Sequence, residues 1–210
     1  IAATGAPHSR PLRETEMVEV VWTVRDGEED QDVLENQGAQ ALRRVRVLRL
    51  VDETLAQGGE PTQEDLAKAL GVTARTIRSD VAALEADGYR VATRGKRQGV
   101  GRGQTHKVII VELYLKRYTY TEIKRHTRHS VAAIRRYICT FGRVVMLRHK
   151  GLTVSEIAFA VGISERLAQE YLDLYERYDI AEYQARMAEI VQVAGGGTHK
   201  PTETHKRGAR

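Results

Sequence analysis

The chain has 210 residues, 41% hydrophobic and 29% charged, enough for one large domain or two to three small ones. A single cysteine, Cys139, excludes a disulfide framework and a cysteine-rich zinc site. No run of about 18 apolar residues is present, and no secretory apolar region opens the chain, so a cytoplasmic protein without membrane contact is expected.

The formal charge of +5 is unevenly placed. Residues 89–150 hold sixteen Lys/Arg against two Asp/Glu, whereas residues 1–37 hold three against nine and residues 151–190 three against eight. Such segregation points to a polyanion as partner of the basic middle, most simply double-stranded DNA.

In chain order, residues 1–37 read as an acidic segment with one strand, Met17–Val24, closed by the Asp26-Gly27 turn. Trp22 is expected to anchor a core or an interface. Residues 38–104 read as a helix-turn-helix domain with a basic wing. Its first helix, Gly38–Gln57, puts Leu42, Val45, Leu48, Val51 and Leu55 inside and Arg43, Arg44, Arg46 and Arg49 outside. Thr62 caps the next helix, with Asp65 as its capping-box partner, and Gly71 breaks it. Thr73 caps a second short helix whose inner face is Ile77, Val81 and Leu84. Its outer face opens with Arg75, Thr76, Arg78 and Ser79, groups suited to the edges of bases in a major groove.

Tyr89–Thr93 alternates like a short strand, and Arg94–Gly103 is glycine-rich and basic. No Gly-Lys-Ser/Thr follows, which excludes a P-loop. That loop is either a wing on the DNA backbone or a linker. Residues 105–143 form a second, basic helix-turn-helix, opened by a Thr105-capped helix, Lys107–Arg117. Residues 144–193 form a third, acidic one ending in a long helix over Tyr175–Val193. Residues 194–210 are a mobile basic tail.

The three units repeat in register. Leu66, Ile123 and Ile157 anchor each first helix. A hydroxyl residue precedes each: Thr62, Thr119 or Thr121, and Thr153. Thr73, Ser130 and Ser164 cap each second helix, and Leu84, Phe141 and Tyr175 close each inner face. The second unit exposes Lys124, Arg125, Arg128, Arg135 and Arg136. The third exposes Glu165, Arg166, Gln169 and Glu170, with Asp173 further on, and its three acids repel phosphate. That unit stands between DNA and a protein surface, with a homodimer or another protein docking there or on the C-terminal helix.

Residues 62–89 resemble the winged helix-turn-helix of DeoR-type and biotin-repressor-type regulators. The resemblance is carried by Gln63-Glu64-Asp65-Leu66-Ala67, Gly71-Val72, Arg75-Thr76-Ile77-Arg78, Asp80, Leu84 and Gly88-Tyr89. It implies that Arg75, Thr76, Arg78 and Ser79 enter the major groove. The later units resemble the helix-turn-helix of resolvases, transposases and the fourth region of sigma factors. TQEDLA, RTIRSD, TRG, THK, RHS and EYLDLY resemble stretches of a prokaryotic family catalogued as a domain of unknown function.

Enzyme readings are weak. GLTVSEI resembles the arginine motif of tyrosine recombinases, but Val154 stands where the arginine is needed. His126, His129, His149 and Cys139 are better explained by packing than by a metal, and no cofactor is expected. The fold class is mainly α, three consecutive helix-turn-helix units with a small β wing. Arg75 and Arg78 are expected to read bases. Arg94, Lys96, Arg97, Arg102, Lys107, Lys124, Arg125 and Arg128 are expected to hold phosphates, with Arg135 and Arg136 in either role. The expected function is a transcriptional regulator. The alternatives are the DNA-recognition subunit of a mobile-element machine, which recruits a catalytic partner, or a protein-binding assembly adaptor.

Overall fold

In a computed structural model of the chain, residues 1–4, 14–94 and 105–195 are described. Their architecture is mainly α with a small two-stranded sheet. The expected residues Lys96, Arg97 and Arg102, most of the glycine-rich loop and the tail after residue 195 lie outside the described residues.

The sheet is not where the sequence places its strands. β1 (Ala2–Ala3) pairs antiparallel with β2 (Gly59–Glu60), Ala2 opposite Glu60, and Ala2 makes one further bridge to Met17. Val18 exchanges backbone hydrogen bonds with Ile1, and residues 19–24 form no ladder. Side chains of the helix beside them take their backbone groups instead. Gln57 binds both the N–H and the carbonyl of Val21, at 2.9 Å each, and Glu53 accepts from Thr23 N–H. Trp22 is a core anchor: it lies against the first core, and its Nε1 donates to Thr54 at 2.7 Å. Tyr89–Thr93 also forms no strand. Its alternation is real, with Tyr89, Val91 and Thr93 buried, and the Arg94 N–H donates to the Pro61 carbonyl.

α1 (Gly27–Ala56) starts eleven residues before the expected helix. It is broken at Gly38, whose φ of 83° and ψ of 173° suit glycine. The two limbs fold back on each other. Asp30 on the first limb binds Arg46 and Arg49 on the second, and Val33 packs with Ala41, Leu42 and Val45. The segment read as merely acidic is therefore helical, held by contacts distant in sequence. Arg43, Arg44, Arg46 and Arg49 are correspondingly drawn inward to buried carboxylates rather than left outside.

The three units form as their capping residues dictate. α2 (Gln63–Leu70) and α3 (Ala74–Ala86) are capped by Thr62 and Thr73, with left-handed Gly71 between them. α5 (Tyr120–Thr127) is capped by Thr119, whose box partner is Glu122. α7 (Val154–Val161) and α8 (Glu165–Tyr178) repeat the scheme with Thr153, Gly162 and Ser164. In the second unit the corner is Arg128, left-handed at φ 64° without the relief of a glycine.

α4 (His106–Leu115) follows its Thr105 cap. α6 (Val131–His149) runs unbroken through residues 143 and 144. It continues past Phe141 because Val145 stays in helical phase with Ile134, Ile138 and Phe141. The second and third units thus share one helix and one core, which joins α4 through α9 (Gln184–Ala194). The long helix expected over Tyr175–Val193 is two helices. The break follows Tyr178, where Asp179 accepts hydrogen bonds from Tyr175 before the gap and Gln184 after it. α9 returns along α6, and Gly142 permits the approach: an added Cβ there would lie 2.7 Å from the Ala194 Cβ and 2.8 Å from the Ile190 carbonyl.

Candidate nucleic-acid interface

In the first unit, α3 is braced from behind. Asp80, buried on its inner side, accepts from both Arg43 and Arg44 of α1. The opposite side of the same two turns carries Arg75, Arg78 and Ser79, all exposed, and neither arginine has a carboxylate partner among the described residues. Thr76 is half-buried, and its hydroxyl turns back to meet the Thr73 hydroxyl at 2.9 Å. It completes the cap rather than presenting a free hydroxyl. Three exposed donors thus lie along the first two turns of α3, near the helix end whose polarity anions favour.

The second unit is differently disposed. The first limb of α1 lies against it. Lys124 Nζ sits 2.9 and 3.2 Å from the two oxygens of Asp32. Arg136 lies 3.3 Å from Glu29 and 3.6 Å from Asp26. Arg128 pairs with Asp87 of the first unit, and its carbonyl accepts from Gln37. Lys107, at the start of α4, stands 3.8 Å from Asp52. Arg125 is exposed and forms no salt bridge among the described residues, and Arg135 is exposed with its guanidinium over the Tyr120 ring. Arg94 is half-buried. Eight of the expected cations therefore fall into two sets. Arg75, Arg78, Arg125 and Arg135 are open to a ligand, while Lys107, Lys124, Arg128 and Arg136 face internal carboxylates.

Behind these ion pairs lies a polar core that sequence reasoning missed. His106 of α4 and His129 of the second turn stack with ring centroids 4.8 Å apart and planes 8° from parallel. Tyr137 meets both edge-on. His129 Nδ1 is 2.8 Å from Glu29, and both side chains are buried. His106 Nδ1 is 3.0 Å from Asp52 Oδ2, outside hydrogen-bond geometry. Burial pushes His129 down to about 4, against the pull of Glu29. Burial would raise Glu29, but His129, then Arg49 and Arg136, hold it at about 2. The stable form is a carboxylate accepting from a neutral imidazole. The only sequence signal was the two histidines themselves, in THK and RHS; their carboxylates are 54 and 100 residues upstream.

The third unit carries different chemistry at the same register. Lys68 of the first unit and Arg125 of the second correspond to Phe159, which is 92% exposed. Ser79 and Arg136 correspond to Glu170, which binds Arg166 on its own helix at 3.1 Å, while Gln169 donates to Asp173. A shallow cleft where α1, α4 and α8 meet is lined by Asp52, Thr105, Lys107, Ser164 and Arg166. No group of three or more potential metal ligands occurs among the described residues. No helix among them is long and apolar enough to cross a membrane.

A family model described as a protein of unknown function (DUF1670) matches residues 2–174. The chain belongs to this family. The DUF1670 match begins in β1 and ends within α8, so it takes in the acidic limb, the histidine pair and nearly all of the three units. α9, which closes on Gly142, lies beyond it. No curated protein and no solved structure matches the chain.

Proposed function

We propose that this protein binds double-stranded DNA as a cytoplasmic transcriptional regulator, with α3 as the reading helix of a winged helix-turn-helix. The observation that carries the reading is the outer face of α3. Arg75, Arg78 and Ser79 are exposed on the first two turns of α3, without carboxylate partners for the two arginines among the described residues, on an element locked from behind by Asp80. A rigid helix with unengaged arginines meets the two needs of direct readout, fixed geometry and bidentate donors for guanine. The resemblance of residues 62–89 to winged repressors supports the same role. Lys96, Arg97 and Arg102 of the basic loop would hold phosphates beside the groove, with Arg125 and Arg135 as further contacts.

A second reading has its own observation. The third unit exposes Phe159 and an acidic face where the other two units carry basic or small groups. That surface suits a protein partner, as in a DNA-recognition subunit that recruits a catalytic protein.

The test is selection of the purified protein against a randomised duplex pool at two salt concentrations, with sequencing of what is retained. An enriched motif with a steep salt dependence is expected. Absence of binding at low salt would remove the DNA reading, and enrichment only when a partner is added would favour the second.

A further inference from the structure

The two charge blocks of the sequence meet in space. The first limb of α1, residues 27–37, places Glu29 and Asp32, together with Asp26 just before it, on cations of the second unit. Carboxylates thus occupy positions around Lys124 and Arg136 that phosphates of a DNA backbone would otherwise take. We infer that the acidic limb is an intramolecular competitor of DNA, covering part of the second unit's basic surface and exchanged for phosphate when a duplex binds. The inference rests on the DNA-binding reading above and assigns that site its regulation.

Three features make the limb suited to exchange. Its apolar anchoring is small and separate: Val33 packs with Ala41, Leu42 and Val45, a cluster distinct from the two main cores, so moving the limb leaves those cores intact. It joins the rest of α1 at Gly38, whose backbone is already non-helical and around which an added Cβ would meet nothing within 4 Å. Its outer contacts are partly solvated: the Arg136 side chain is 54% exposed, and those of Asp26 and Asp32 about a third, at 34% and 35%. Solvated ion pairs are weak and yield to a polyanion, which also gains by releasing its own counterions. The Glu29–His129 contact is the buried part of the latch and favours the covered state in the absence of DNA.

The experiment compares the full-length protein with Asp26→Asn/Asp32→Asn, measuring affinity for a non-specific duplex across a salt series. A control, Glu28→Gln/Glu35→Gln, removes the same charge from the same limb at exposed positions that do not touch the second unit. Removing Asp26 and Asp32, which leaves only Glu29 on Arg136, should raise affinity at low salt about tenfold and leave the slope of log affinity against log salt unchanged, because the displaced limb of the wild type already leaves the same phosphates neutralised in the complex. The control should move affinity less and leave the slope unchanged. In the wild type, backbone amides of residues 28–37 should exchange hydrogen faster when duplex is added. Equal affinities of the variant, control and wild type, with DNA bound by all three, would overturn the competitor and leave the DNA reading standing. No binding by any of them at low salt would overturn both.

Discussion

His129 Nδ1 lies 2.8 Å from a carboxylate oxygen of Glu29, a buried contact between residues 100 positions apart. It ties the N-terminal limb of α1 to the turn of the second helix-turn-helix. Neither partner reaches water, so the protonation state of this pair is coupled to folding.

Both groups make the fold sensitive to acid. Folding lowers His129 from 6.5 to about 4, so the unfolded chain takes up that proton first, and stability falls as pH drops from 6.5 towards 4. Folding lowers Glu29 from 4.5 to about 2, and its contribution is present above 4.5 and lost as pH falls from there towards 2. The two windows adjoin and act in the same direction. Thermal melts should therefore show a plateau above pH 7 and a fall beginning near 6.5. His129→Gln should flatten the upper part of that fall, between pH 6.5 and 4.5. An unchanged profile in the variant would place the sensitivity elsewhere.

Gly142 is a packing requirement. A Cβ at that position would stand 2.7 Å from the Ala194 Cβ and 2.8 Å from a backbone carbonyl of α9, and backbone cannot swing aside as a long side chain can. Gly142→Ala should cost about 2 kcal/mol by overpacking and lower the melting temperature by several degrees. Adding Ala194→Gly removes one of the two clashes and should restore part of the loss.

The elements that the sequence announces are those whose determinants are local. Thr62, Thr73, Thr105, Thr119, Ser130, Thr153 and Ser164 all cap helices at the expected places, and Gly71 turns the expected corner. A hydroxyl and its N3 partner are three residues apart, so pattern suffices. Residues 27–37 form a helix for reasons pattern does not hold. Their apolar content is Val33, Leu34 and little else, and their acids bind Arg46, Arg49, Lys124, His129 and Arg136 far along the chain. Val18–Val24 shows the converse. Its β-branched residues suit a strand, but past Val18, whose backbone pairs with Ile1, Gln57 takes both backbone groups of Val21 and Glu53 the N–H of Thr23. At the candidate interface, sequence identified the cations. Which were already engaged depended on carboxylates brought there by the fold.

Asp80 is predicted to hold α3 against α1. It is buried, and its two partners lie on the adjacent helix. Asp80→Ala leaves Arg43 and Arg44 facing a vacant, largely apolar site, a loss of about 3 kcal/mol by analogy with breaking buried pairs. Denaturant melts should show a lower midpoint. Far from α3, the cap at Thr153 should be indifferent to this change, so combining it with Thr153→Ala should give additive losses.

Arg75 and Arg78 provide the sharpest functional prediction. Both project from the exposed start of α3 without a carboxylate partner among the described residues, so replacing them leaves no buried charge behind and the melting temperature should be unchanged. If they read base edges, Arg75→Ala/Arg78→Ala should reduce discrimination between the selected site and random duplex by about 1–3 kcal/mol for each bidentate pairing with a base that is removed. Affinity for random duplex should fall much less. The salt series separates the roles: removing a side chain that neutralises a phosphate reduces the slope of log affinity against log salt by about 0.9, whereas removing one that only reads a base leaves the slope as it was. A reduced slope with site preference retained would move both arginines to the DNA backbone and require another part of the chain to read sequence.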